Sequence, residues 1–245
     1  MTAMSGSAGP ATTSTAEGGL DALRARLQGG VDDSLPVPAW TATVSRAAGP
    51  FNHPTKAATA ADGSVYVADG YGNARIHRFS PDGRLLSSWG RPGLGPGEFM
   101  LPHSVIVLRD GTVVVADREA DRIQLFTGDG THLATWTNVR RPTGVVELPD
   151  GTLAVAELAW QAGELAHRRG TVARGTPARL SILDRRGLVL GRFGNPPGDA
   201  AEGRLSAPHG LGVDSAGDIY VAEVTASITG RVQRPTLQKY RRTTA

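Results

Sequence analysis

The chain has 245 residues with 26 Lys plus Arg, 23 Asp plus Glu and a formal net charge of +3. That surplus is small, Arg is scattered over turns, and no basic stripe alternates with aromatics, so no nucleic-acid partner is expected. Cysteine is absent, which excludes disulfides, thiolate metal sites and cysteine nucleophiles.

Residues 1–19 are rich in Ser, Thr, Ala and Gly with almost no large apolar group, and are expected to be a disordered leader. They hold neither a basic segment nor an apolar one of the kind a secretory signal needs, and no apolar run reaches membrane-spanning length. The expectation is a cytoplasmic protein with no membrane partner. The stretch LDALRARLQ at 20–28 predicts a short helix with Leu20, Leu23 and Leu27 on one side, ended by Gly29 and Gly30. The leader is therefore taken as 1–30 and the folded domain as 31–245. VPAWTATV at 37–44 predicts a strand, and 32 Gly with 16 Pro suit a fold of short strands and tight turns.

From Pro54 onward the chain repeats. Segments beginning at Pro54, Pro102, Pro142 and Pro208 each carry a glycine nine residues on, at Gly63, Gly111, Gly151 and Gly217. Each then closes on an acid fifteen residues after its proline, at Asp69, Asp117, Glu157 and Glu223. The second runs VYVAD, VVVAD, LAVAE and IYVAE alternate with a period of two. Third runs follow at 74–79, 121–126, 179–183 and 237–240, and the first three units add a fourth run, RLLSSWG, THLATW and LVLGRFG. Four strands per unit at about 40 to 50 residues is the signature of a β-propeller blade. The fold class expected is all-β, with four-stranded blades at about 51–90, 98–137, 139–194 and 205–243. The last unit lacks a fourth run, and the strand at 37–44 is expected to close it, because closure removes an exposed edge.

Strands in a blade run up and down, so the starts of the first strands share a rim with the loops between second and third strands. That rim gathers Thr55, His103, Thr143 and His209, together with Tyr71, Arg118, Glu119 and the 158–178 loop. Two histidines, a tyrosine and an arginine at one channel mouth make a candidate catalytic set, and neutral imidazoles suit zinc. Plainer roles exist for each: packing or capping for the histidines, a turn aromatic for Tyr71, and an ion pair with Glu119 or Asp121 for Arg118. Asp69 and Asp117 read as anchors of the turn after the second strand. His77 and His132 fall on outer strands, His167 on an Arg-rich loop, and His53 two residues upstream of the repeating rim position.

The stretches VADGYGNARIHRFSPDGRLLSSWG (67–90), GPGEFMLPHSV (95–105), VVADREADRIQLF (114–126) and APHGLGVDSAGDIYVAEV (207–224) resemble the NHL-repeat propellers of peptidyl-α-hydroxyglycine α-amidating lyases. The resemblance runs from about residue 45 to 243 and is strongest over 62–126. It implies a six-bladed propeller in which three histidines hold zinc, and a tyrosine and arginines act on a C-terminal α-hydroxyglycine, splitting it into a peptide amide and glyoxylate. By motif, His103 and His209 match metal histidines, and Tyr71 and Arg118 match the catalytic tyrosine and an active-site arginine. The substrate implied is a peptide or a small carbinolamide.

The departures are equally specific. The family's first metal blade belongs upstream of residue 51, where nothing resembles it, so the chain is expected to correspond to the C-terminal two thirds of such a propeller. Gly210 stands where the family has an aspartate ligand for a structural calcium, which makes calcium doubtful. Two functions are therefore carried: a zinc-dependent lyase whose third ligand comes from His53, solvent or a second subunit, and a non-catalytic binding propeller that has lost the metal. Either four blades close into a ring, or a homodimer completes the edges.

Overall fold

The computed structural model describes residues 50–166, 170–194, 204–225 and 236–242. The leader, the helix expected at 20–28 and the strand expected at 37–44 lie outside the described residues.

Among the described residues the strands form four antiparallel blade sheets and one two-stranded hairpin. The first blade is β1 (Lys56–Thr59), β2 (Val65–Asp69), β3 (Arg75–Phe79) and β4 (Leu85–Trp89), paired in that order. The second is β5 (Pro102–Val107), β6 (Val113–Asp117), β7 (Arg122–Phe126) and β8 (His132–Trp136). In the third, β9 (Pro142–Glu147) and β10 (Leu153–Glu157) precede a small hairpin, β11 (Leu165–Ala166) with β12 (Gly170–Thr171), before β13 (Arg179–Leu183) and β14 (Val189–Phe193) complete the sheet. The fourth has β15 (Pro208–Val213), β16 (Ile219–Glu223) and β17 (Leu237–Tyr240). This is the all-β, four-bladed propeller arrangement that the repeat predicts.

The second strands of the middle two blades are buried along their whole length because those blades are covered on both faces by their neighbours. Tyr66, Ala68 and Ile76 of the first blade pack with Val113, Val115 and Phe126 of the second. The opposite face of that second blade, Val114, Ala116, Ile123 and Leu125, meets Val145, Leu153, Val155 and Leu183 of the third. Ala154, Ala156 and Leu180 then meet Ile219 and Val221 of the fourth. Aromatics ending the fourth strands seal two of these joints, and each needs a glycine beneath it. A Cβ at Gly130 would stand 2.6 Å from Trp89, and one at Gly187 would stand 2.4 Å from Trp136; both glycines also have left-handed φ, 93° and 82°.

The repeating acids do more than the turn anchoring expected of Asp69 and Asp117. They bind the segment that leads into the first strand of their own blade, and Asp69 in addition holds the turn after its second strand through Asn73. Asp69 accepts from the Asn52 amide at 2.9 Å, Asp117 from the Met100 and Leu101 amides at 2.9 and 2.8 Å, Glu157 from Arg140 at 2.7 Å, and Glu223 from Ser206 and Ala207, both at 2.7 Å. A third-strand side chain or its neighbour satisfies each carboxylate further: Asn73 on Asp69, Arg122 on Asp117, Arg179 on Glu157 and Gln238 on Glu223. These clamps fix where each first strand begins, and so fix the rim.

Candidate functional site at the propeller rim

The structure brings four predicted residues together from three blades. His103 is the second residue of β5 and is buried. Its Nδ1 lies 2.8 Å from the Thr143 carbonyl oxygen, which can only accept, so Nδ1 carries the proton and Nε2 the lone pair. That Nε2 is 3.4 Å from Tyr71 Oη, the phenol of the loop between β2 and β3. Tyr71 Oη in turn accepts from Arg118 Nη1 at 3.0 Å. The His209 ring, from β15, meets the His103 ring edge to face with centroids 4.7 Å apart.

Arg118 is placed by a short 3-10 turn, Arg118–Ala120, which Asp121 ends in a left-handed conformation at φ 54°. Its Nε donates to Glu119 Oε1 at 2.8 Å, and both residues are buried. Burial alone works against the Arg118 charge, yet the Glu119 carboxylate and the Tyr71 oxygen outweigh it and hold its pKa above the ordinary arginine value. The imidazoles are pushed the other way. Burial, the Arg118 charge and the neighbouring His209 bring His103 well below the usual histidine range, while burial, Arg118 and Lys56 bring His209 down to about 4. Both rings are thus neutral at physiological pH.

A stability prediction follows for metal-free protein. In the unfolded chain His209 titrates at about 6.5, and in the fold at about 4. Between those values the unfolded state binds more protons, so stability should fall as pH drops from 6.5 towards 4. Chemical denaturation across that range should show the slope, and His209→Asn should flatten it; an unchanged slope in the variant would contradict the assignment.

The other candidates go elsewhere. Thr55 and Thr143 use their hydroxyls to bind the next blade, at Pro102 and Pro208 carbonyls, 2.8 and 2.9 Å away. His77 is held by Asp69 and Ser88, and His132 by Thr135. The side chain of His167 lies outside the described residues. His53 is exposed and contributes only its carbonyl, which accepts from the Tyr71 amide at 3.3 Å. Glu119 pairs with Arg118, one of the partners expected for it; two residues were missed, Arg141 and Trp160, whose ring centre lies 3.4 Å from the Arg141 guanidinium carbon. No motif marks them, since their meeting depends on how the 158–178 loop folds back over the rim.

Zinc can be tested against this donor set. Two neutral imidazoles, one fixed in tautomer by a backbone carbonyl, suit a zinc ligand pair. A catalytic zinc takes three protein ligands. Among the described residues no group of three His, Cys, Asp or Glu side chains stands close enough to hold a metal. The described residues thus offer two imidazoles of the chemistry zinc takes, without a third ligand beside them.

Comparison with known proteins agrees with the architecture and narrows it. Residues 51–79 match the NHL repeat family model. The chain is 33% identical over 184 residues to the human NHL repeat-containing protein 3, a match covering 72% of this chain and 48% of that protein. It is 41% identical over 80 residues to a probable peptidyl-alpha-hydroxyglycine alpha-amidating lyase of Caenorhabditis elegans, covering 31% of this chain and 23% of that protein. Among solved structures, a streptogramin B lyase superposes with a TM-score of 0.51 at 17% identity, over 81% of this chain and 58% of that one, which speaks to the fold alone. The chain is thus an NHL-repeat β-propeller. It has partial homology to amidating lyases, and it spans about half the length of the NHL repeat-containing relative.

Proposed function

We propose that the rim site is that of a lyase of the peptidyl-α-hydroxyglycine amidating type, cleaving a carbinolamide into an amide and glyoxylate. The observation that carries this reading is Tyr71 Oη held between the Arg118 guanidinium at 3.0 Å and the His103 imidazole at 3.4 Å. The reaction needs one base and one carboxylate anchor. Tyr71, as phenolate, takes the proton from the carbinol hydroxyl, the carbon–nitrogen bond breaks as that oxygen becomes the aldehyde of glyoxylate, and the departing nitrogen takes the proton back from Tyr71 as the amide. Arg118 binds the carboxylate of the glycine moiety with a charge-assisted hydrogen bond. His103 and His209 would hold zinc, which supplies Lewis-acid polarisation of the hydroxyl when bound.

A second reading has its own support. Two metal histidines where three are needed, and Gly210 in place of a calcium-binding aspartate, favour a binding propeller that keeps the fold without the chemistry. Glyoxylate release from an N-acyl-α-hydroxyglycine in the presence of zinc separates the two. The lyase reading expects turnover by the wild-type chain and a loss of at least about a hundredfold in Tyr71→Phe, the scale of one general acid–base group. Equal rates in both proteins would remove Tyr71 from the chemistry.

A further inference from the structure

We propose that Arg141 is a specificity-determining residue of the rim site, a second guanidinium that shares the buried Glu119 with Arg118 and so leaves the cluster positively charged towards a ligand carboxylate. The inference deepens the lyase reading, but its binding arm stands without it.

Arg141 is only 5% exposed, and its backbone is left-handed at φ 41°. A non-glycine residue in that region is strained and persists only where its surroundings hold it. Here the Arg141 amide donates to Asp121 Oδ1 at 2.7 Å, and its carbonyl accepts from the Leu158 amide at 3.1 Å. The blade itself does not require this. Arg141 directly precedes a register proline; His53, at the same position in the first blade, is likewise left-handed at φ 61°, whereas Leu101 and Ala207 in the second and fourth blades are not.

The side chain is fixed as firmly. Nη1 donates to the Ala159 carbonyl at 2.9 Å and to Glu164 Oε1 at 3.0 Å, and the guanidinium carbon lies 3.4 Å from the centre of the Trp160 ring. Its Nε points at Glu119 Oε1 from 3.8 Å, too far for a hydrogen bond, and Arg118 Nε already donates to that same oxygen. One buried carboxylate thus faces two buried guanidiniums. Two further acids stand near: Glu164, whose side chain is 26% exposed and so more screened by water than Glu119, and Asp121, whose carboxylate accepts from the Arg141 amide. Lys56, whose charge is felt at His209, adds to the same sign. Were Arg141 absent, Glu119 would neutralise Arg118 alone, and the field that Arg118 projects at Tyr71 and at a ligand would weaken. Arg118 is paired with Glu119 and Arg141 with Glu164, so what Arg141 adds is field at the rim, which a carboxylate arriving at Arg118 meets.

The test uses the full chain as wild type, Arg141→Met and Arg141→Lys, with glyoxylate as the probe in calorimetric titration and an N-acyl-α-hydroxyglycine in steady-state assay. Arg141→Met is expected to weaken glyoxylate binding about tenfold, the size of one charge-assisted contact. It should raise KM by a similar factor and change kcat by less than about threefold, because the loss is of uniform binding. Arg141→Lys keeps the charge and should recover most of the affinity, which a merely structural role would not predict. Wild-type glyoxylate affinity in Arg141→Met overturns the inference, as does equal loss in both variants. If Arg141→Met does not fold, Arg141→Gln, which also removes the charge, takes its place. Wild-type protein that binds glyoxylate without turnover sinks the lyase reading and leaves this inference to the binding arm. Wild-type protein that binds no glyoxylate overturns the inference itself.

Discussion

His103→Ala and His209→Ala are each expected to abolish zinc retention by the purified protein, and with it glyoxylate release. The two rings touch, with centroids 4.7 Å apart, and the described residues offer no third His, Cys, Asp or Glu beside them. Losing either leaves a single imidazole, which cannot hold zinc against water and buffer. Neither change should unfold the domain, since both side chains sit at the rim and outside the three apolar clusters between blades. Elemental analysis after dialysis reads the first effect and thermal melting the second. Zinc retained by both variants would remove the histidines from the metal site.

The largest expected effect on stability lies in a clamp far less conspicuous than the histidines. Glu157 is fully buried and accepts from the Arg140 amide at 2.7 Å and from Arg179 Nε and Nη2 at 2.9 and 2.7 Å, with the Ser181 hydroxyl bound as well. Glu157→Ala removes the acceptor from all of them and strands a guanidinium whose side chain is only 23% exposed. Breaking one partner of such a pair costs about 3 to 5 kcal/mol. Urea denaturation should show that loss, and a change below about 1 kcal/mol would mean that the acid clamps are incidental to the blade.

Much of the fold could be read from the chain because a blade writes itself locally. The Asp-Gly turns, the two-residue alternation and the terminal aromatic of the fourth strand all sit within one repeat, and β1 to β10 fall on the runs that those signals mark. The gathering of Tyr71, Arg118, His103 and His209 was legible for the same reason: equivalent register positions share a rim. What the sequence hid is contact between unlike positions. Asp69 and its counterparts reach back to amides before the register proline, sixteen or seventeen residues away, a pairing that no local pattern displays. Arg141 is hidden twice over, by a left-handed backbone in a residue type that rarely adopts it and by a stacking partner on the 158–178 loop. Its repeat counterparts, His53, Leu101 and Ala207, give no hint of a guanidinium.

The reading of the rim as a zinc lyase site rests most directly on metal content. Protein purified without a histidine tag, dialysed against metal-free buffer and measured by elemental analysis, is predicted to carry about one tightly held zinc per chain, matched to a single rim site. Protein that carries none, and regains none on exposure to zinc, would contradict the lyase reading and leave a binding propeller in its place.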